Sequence, residues 1–135
     1  MHNSFRILLV EDDDALRTSL CEFLAGHGWN VADTAFGNEA IQMAMQQRFD
    51  FSILDFHLPG MTGVDVVRAI RAIRPMPAIM MSGQATHQES HLAIQAGVFT
   101  FLPKPLDLGR LRQSVDQLIQ HHFGGPLGHP RHPFR

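Results

Sequence analysis

Five short apolar runs, each followed by a segment with helical spacing, leave this sequence few ways to fold. Phe5 to Val10 (FRILLV) is nearly all apolar and short, as a strand buried on both faces is. After EDDD, Leu16, Leu20, Phe23 and Leu24 recur at helical spacing, and Gly26 and Gly28 offer a stop. Trp29 to Thr34 reads as a second, weaker strand, and Asn38 to Arg48 as a helix with Ile41, Ala44 and Met45 inward. Phe51 to Leu54 is the third strand and delivers Asp55. Val64, Val67, Ile70 and Ile73 mark a helix that Arg74 and Pro75 end. Ala78 to Met81 is the fourth strand, with a helix over Thr86 to Ala96 closed by Gly97. Val98 to Leu102 is the fifth strand. Leu108, Leu111, Val115, Leu118 and Ile119 describe the last helix.

Strands alternating with helices call for an α/β fold, a parallel sheet covered on both faces. Right-handed crossovers then favour the doubly wound, flavodoxin-like order 2-1-3-4-5 with five helices. In that order strands one and three are neighbours, and a crevice opens at their carboxyl ends. With 135 residues, 44% hydrophobic and 18% charged, the chain suffices for one domain with its own core. We assign that domain to residues 1–122. The remainder, 123–135 (FGGPLGHPRHPFR), lacks periodicity and reads as a flexible tail or a truncated linker. A formal net charge of −2 gives no basic field for nucleic acid or anionic membrane. No signal peptide or membrane-spanning run is visible, and a lone cysteine, Cys21, suits a reducing compartment. The expectation is a cytoplasmic protein.

The polar residues just past each strand converge on one crevice. Strand one delivers Glu11, Asp12 and Asp13, strand three Asp55, strand four Ser82 and strand five Lys104. Clustered carboxylates repel one another, and a divalent cation removes that repulsion. Oxygen ligands without nearby His or Cys suit Mg²⁺, which usually shares its shell with phosphate oxygens. An ionised Asp needs no base to act as a nucleophile, and its attack on a phosphoryl group yields an acyl phosphate. Mg²⁺ and Lys104 would offset charge on the transferred oxygens, and the Ser82 hydroxyl could donate to one of them.

VEDD (10–13), LDFHLPGMTG (54–63), MSG (81–83) and FLPKP (101–105) together resemble the receiver domain of bacterial two-component response regulators. The motifs stand in that family's order over residues 5–123, nearly the whole chain. The resemblance implies that Asp55 is the phosphoacceptor and that Asp12 and Asp55 ligate Mg²⁺. It implies further that Glu11 contributes through water and the His57 backbone carbonyl completes the protein's ligands. Ser82 and Lys104 would bind the phosphoryl oxygens, Ser82 and Phe101 would act as the switch pair, and the Lys104–Pro105 bond would be cis. Glu11 stands where Asp is as frequent, and Ser82 replaces the commoner Thr. His57 and Gln84 occupy variable positions associated with phosphoryl lifetime. The implied partners are a histidine kinase or phosphotransfer protein, then a downstream effector or a second copy of the chain. Readout would fall on the fourth helix, fifth strand and fifth helix, where His87, His91 and Arg112 are candidate contacts. Nothing suggests a membrane partner, and nucleic acid would enter only through an output domain not seen here. Such a protein catalyses its own phosphorylation and dephosphorylation and is otherwise no enzyme.

Simpler roles and rival classes exist for these residues. Asp13 or Asp14 can cap the first helix, Ser82 can close a turn, and Arg68, Arg71 and Arg74 can form a solvated face. His87 and His91 are four apart, but two ligands do not make a metal site. An Mg²⁺-dependent phosphohydrolase of the haloacid-dehalogenase type would place its nucleophile in a D-x-D pattern after strand one, which Asp12 and Asp14 match superficially. A flavodoxin-like electron carrier would need a Gly- and hydroxyl-rich phosphate loop where EDDD stands.

Overall fold

The computed structural model describes residues 4–124. Its long strands are β1 (Arg6–Val10), β2 (Asn30–Thr34), β3 (Phe51–Asp55), β6 (Ala78–Ser82) and β7 (Thr100–Pro103). A hairpin of two short strands, β4 (His57–Leu58) and β5 (Met61–Thr62), sits between β3 and the third helix. The helices are α1 (Asp14–Ala25), α2 (Gly37–Gln46), α3 (Gly63–Ile73), α4 (His87–Gln95) and α5 (Leu108–Phe123). The five long strands pair in parallel in the order β2-β1-β3-β6-β7, the doubly wound 2-1-3-4-5 arrangement.

Strand alternation divides the interior into two layers. Leu8, Val10, Leu54, Ala78 and Met80 face the side carrying α2, α3 and α4. Ile7, Leu9, Phe51, Ile53, Ile79, Met81 and Leu102 face α1 and α5. Because β1, β3 and β6 are covered on both sides, nearly every residue in them is buried and most are apolar. Fully burying one such Leu or Ile contributes about 1.5–3 kcal/mol, so the central strands supply a large share of the core's stabilisation.

Local structure departs from the sequence reading in four places. The last strand begins at Thr100 rather than Val98, because Gly97 (φ 87°) reverses the chain and the Val98 amide donates to the Ala93 carbonyl, finishing α4. Helix α2 ends at Gln46 instead of Arg48, with Gln47 already extended. Helix α5 carries through Phe123, which packs against Phe5 at 5.2 Å, one residue beyond the expected domain boundary. The hairpin was not foreseen, since two-residue strands are too short to show a period. The tail expected over 123–135 lies, from residue 125, outside the described residues. Among the described residues no helix is long and apolar enough to cross a membrane.

Candidate functional site

Register explains why the site forms at one edge. Val10 pairs with Leu54, so the residues that follow, Glu11 and Asp55, emerge side by side. Asp55 pairs with Met81, Ser82 pairs with Pro103, and the Lys104 amide donates to the Ser82 carbonyl at 2.8 Å. Four chain segments thus end within reach of one another.

Carboxylate oxygens of Glu11, Asp12 and Asp55 lie within 4.8 Å of one another. Glu11 is fully buried, Asp55 is 5% exposed and Asp12 faces solvent. The Lys104 ammonium closes the cluster, with Nζ 2.7 Å from Glu11 Oε1 and 3.1 Å from Asp55 Oδ2. Burial pushes the Glu11 carboxyl above its usual range, partly offset by the hydrogen bond from Lys104. Burial alone would lower the Lys104 pKa, but its bonds and charges with Glu11 and Asp55 win and raise it. The donor set is all oxygen, with one fully buried acid, one almost buried and one open to water. That composition fits a hard cation that keeps part of its hydration shell.

Helix ends hold these groups. Asp13 caps α1, its Oδ1 accepting from the Leu16 amide at 2.8 Å, while its own amide donates to Glu11 Oε2 at 3.0 Å. Asp14 lies in the first turn of α1 and pairs with Arg17 at 2.7 Å, outside the cluster, so a D-x-D site made with Asp12 does not form. Thr62 and Asp65 form a capping box at the start of α3. Gly63 is pressed against the back of the site: a Cβ there would stand 2.2 Å from the Asp55 carbonyl oxygen. The need for glycine comes from tertiary contact, and local sequence reads it only as part of a turn.

Ser82 and His57 meet through a residue the sequence reading passed over. Thr86 and Glu89 carry the T-x-x-E spacing of a capping box, and Thr86 does accept from the Glu89 amide at 3.1 Å. The Glu89 side chain, however, turns inward and is 6% exposed. It accepts from the Ser82 hydroxyl at 2.5 Å and from His57 Nε2 at 2.8 Å, a carboxylate offering only acceptors. Burial would raise the Glu89 pKa, but these two hydrogen bonds outweigh it and hold the acid below its usual range. Ser82 Oγ also accepts from the amides of Gln84 and Ala85, each at 3.2 Å, in a turn that holds Ala85 at φ 47°. Ser82 thus closes this turn while its own proton goes to Glu89.

Phe101 is half-buried on β7, its ring 6.5 Å from that of Phe56, and the Lys104–Pro105 peptide is cis. His87 and His91 are exposed on α4. Arg112 instead lies over the Trp29 ring at 5.6 Å and pairs with Asp116. Trp29 packs with the α1–α5 layer, so Arg112 is drawn toward that side of α5. Arg71 is not wholly solvated either, donating to the Gly97 carbonyl at 3.3 Å.

A doubly wound sheet with an acid cluster and a lysine at its carboxyl edge is suited to hold a divalent cation beside a phosphoryl group. Residues 7–116 match the model of the response regulator receiver domain, and the chain belongs to that family, the receiver module of two-component systems. It is similar to the chemotaxis protein CheY of Pseudomonas aeruginosa, at 31% identity over 119 residues covering 85% of this chain and 96% of CheY. It is 30% identical to the transcriptional regulatory protein ZraR of Escherichia coli, over 89% of this chain but 27% of ZraR. Among solved structures it resembles a CheY-like receiver domain from Methanospirillum hungatei (TM-score 0.84, 27% identity, 88% of this chain and 96% of that one). It also resembles the receiver domain of sensor histidine kinase PA1611 from Pseudomonas aeruginosa, with a magnesium ion coordinated in its active-site cleft (TM-score 0.77, 31% identity, 84% and 96% coverage). Receiver domains are signalling modules that bind Mg²⁺ and are not conventional enzymes.

Proposed function

We propose that Asp55 of this chain accepts a phosphoryl group from a phospho-histidine and thereby switches the face formed by α4, β7 and α5. The observation that carries this reading is the position of Lys104 Nζ, 3.1 Å from Asp55 Oδ2 and backed by buried Glu11. An Asp55 oxygen attacks phosphorus, the P–N bond to the donor imidazole breaks, and the new P–O bond leaves a mixed anhydride on β3. Asp12, Asp55 and the His57 backbone carbonyl would hold Mg²⁺, with Glu11 acting through water. Bound there, the ion offsets negative charge on the transferred oxygens. Lys104 would do the same and orients the Asp55 carboxylate. Ser82 takes a phosphoryl oxygen, Phe101 follows it inward, and His57 and Gln84 set how readily water reaches the anhydride.

The protein would thus catalyse its own modification and slow dephosphorylation. Its partners would be a histidine kinase or phosphotransfer protein upstream and an effector or second copy downstream, in the cytoplasm. Ile94, 67% exposed on α4, gives the output face an apolar contact point. The receiver unit would run to the end of α5 at Phe123, with a tail or linker after it. Incubation with Mg²⁺ and acetyl phosphate tests the assignment: intact mass should rise by one phosphoryl group in wild type and not in Asp55→Asn. Equal uptake by the two proteins would refute it.

A further inference from the structure

The bonding capacity of Ser82 is already full. A hydroxyl has one proton and two acceptor lone pairs. The proton goes to Glu89 Oε1 at 2.5 Å, and the lone pairs take the Gln84 and Ala85 amides at 3.2 Å. To donate to a phosphoryl oxygen on Asp55, the hydroxyl must first leave Glu89. The competing acceptor is a buried carboxylate, held in place on its other oxygen by His57.

We infer that Glu89 is an off-state latch: its carboxylate competes with the phosphoryl group for the single Ser82 proton and opposes activation. This rests on the phosphoacceptor reading above and adds a positioning residue to it. The latch also gives the switch a route outward. Ser82 ends β6, Glu89 lies in the first turn of α4, and His57 belongs to the hairpin directly after Asp55. Withdrawing the Ser82 proton removes one of the two side-chain bonds that fix the Glu89 carboxylate against the site. The first turn of α4 is then free to settle differently against the sheet. A hydrogen bond to a charged acceptor is strong enough that its loss changes an equilibrium about tenfold.

Beryllofluoride with Mg²⁺ mimics the aspartyl phosphate without turnover, and its affinity is read by fluorine NMR on the full chain. Glu89→Ala should bind it about tenfold more tightly than wild type, and the gain should vanish when Ser82→Ala is combined with it. Glu89→Gln keeps the side-chain shape but weakens the acceptor, and should shift affinity in the same direction by less. If Glu89→Ala melts too low to be measured, Glu89→Gln carries the test. Unchanged or weaker binding, with Asp55 still taking a phosphoryl group from acetyl phosphate, overturns the latch alone. A gain that persists in the Ser82→Ala background also overturns it, because Glu89 would then act on something other than that hydroxyl. Absence of phosphoryl uptake in wild type removes the phosphoacceptor reading, and the latch with it.

Discussion

Replacing Lys104 with methionine keeps an unbranched apolar side chain of similar length and removes the ammonium that Glu11 and Asp55 share. Glu11 is fully buried, so its charge is left with the Asp13 amide but no cation. Breaking a buried pair by deleting one partner costs about 3–5 kcal/mol. The lower end applies here, because Asp12 opens the cluster to water, and we expect a loss of about 3 kcal/mol near neutral pH without Mg²⁺. The sign of the pH dependence follows from Glu11. Its folded pKa is raised above the unfolded one, so ionising it costs native stability as pH rises through the folded value. Losing Lys104 raises that folded pKa further, so the gap between wild type and variant should narrow from about pH 7.5 toward about pH 5. The Lys104 pKa is itself raised, so the ammonium stays charged across this range, and its own deprotonation weakens the pair only at strongly alkaline pH. Free Mg²⁺ at about 100 times its Kd adds about 2.7 kcal/mol to any protein that binds it, wild type included, so it narrows the gap only to the extent that the variant, freed of the competing ammonium, binds the ion more tightly. Urea unfolding at the two pH values, with and without Mg²⁺, measures each term. A loss that is small and indifferent to pH would show that Lys104 is only a surface contact.

Three other outcomes are expected. Gly63→Ala forces a Cβ to within 2.2 Å of the Asp55 carbonyl oxygen, and relief needs a shift approaching 1 Å in the first turn of α3 or in Asp55. Thermal melts should show a loss of about 1–3 kcal/mol, and initial phosphorylation by acetyl phosphate should slow by about 100-fold, as for a misplaced nucleophile. Combining His57→Ala with Gln84→Ala should change the decay rate of the acyl phosphate followed by mass spectrometry, and unchanged decay would end the lifetime role given to them. Thr62→Ala removes one half of the capping box and should lower stability by about 1 kcal/mol in urea, without abolishing phosphoryl uptake.

Hydrophobic period was enough to read the layers, and the right-handed crossover rule then favoured the strand order. A strand buried on both faces must be apolar throughout, and a helix laid over it must carry a stripe, so FRILLV, FSIL and AIMM announce the central sheet. The acids and the lysine were legible for a related reason: polar residues directly after such strands have only the carboxyl edge to occupy. Distances between them depended on register, which sets Val10 against Leu54 and so puts Glu11 beside Asp55. The place of Glu89 was not legible. Its T-x-x-E spacing fits a helix cap, and nothing local distinguishes that role from a side chain turned inward to Ser82, seven residues away, and His57, thirty-two away. Likewise Gly63 looks like turn chemistry until α3 is seated against the Asp55 carbonyl, and Arg112 reads as a contact of the output face until Trp29 is found under it. Periodicity decides which face of an element is buried, because that is a property of one segment. Which polar atoms share a hydrogen bond across segments is decided by the packing that brings those segments together.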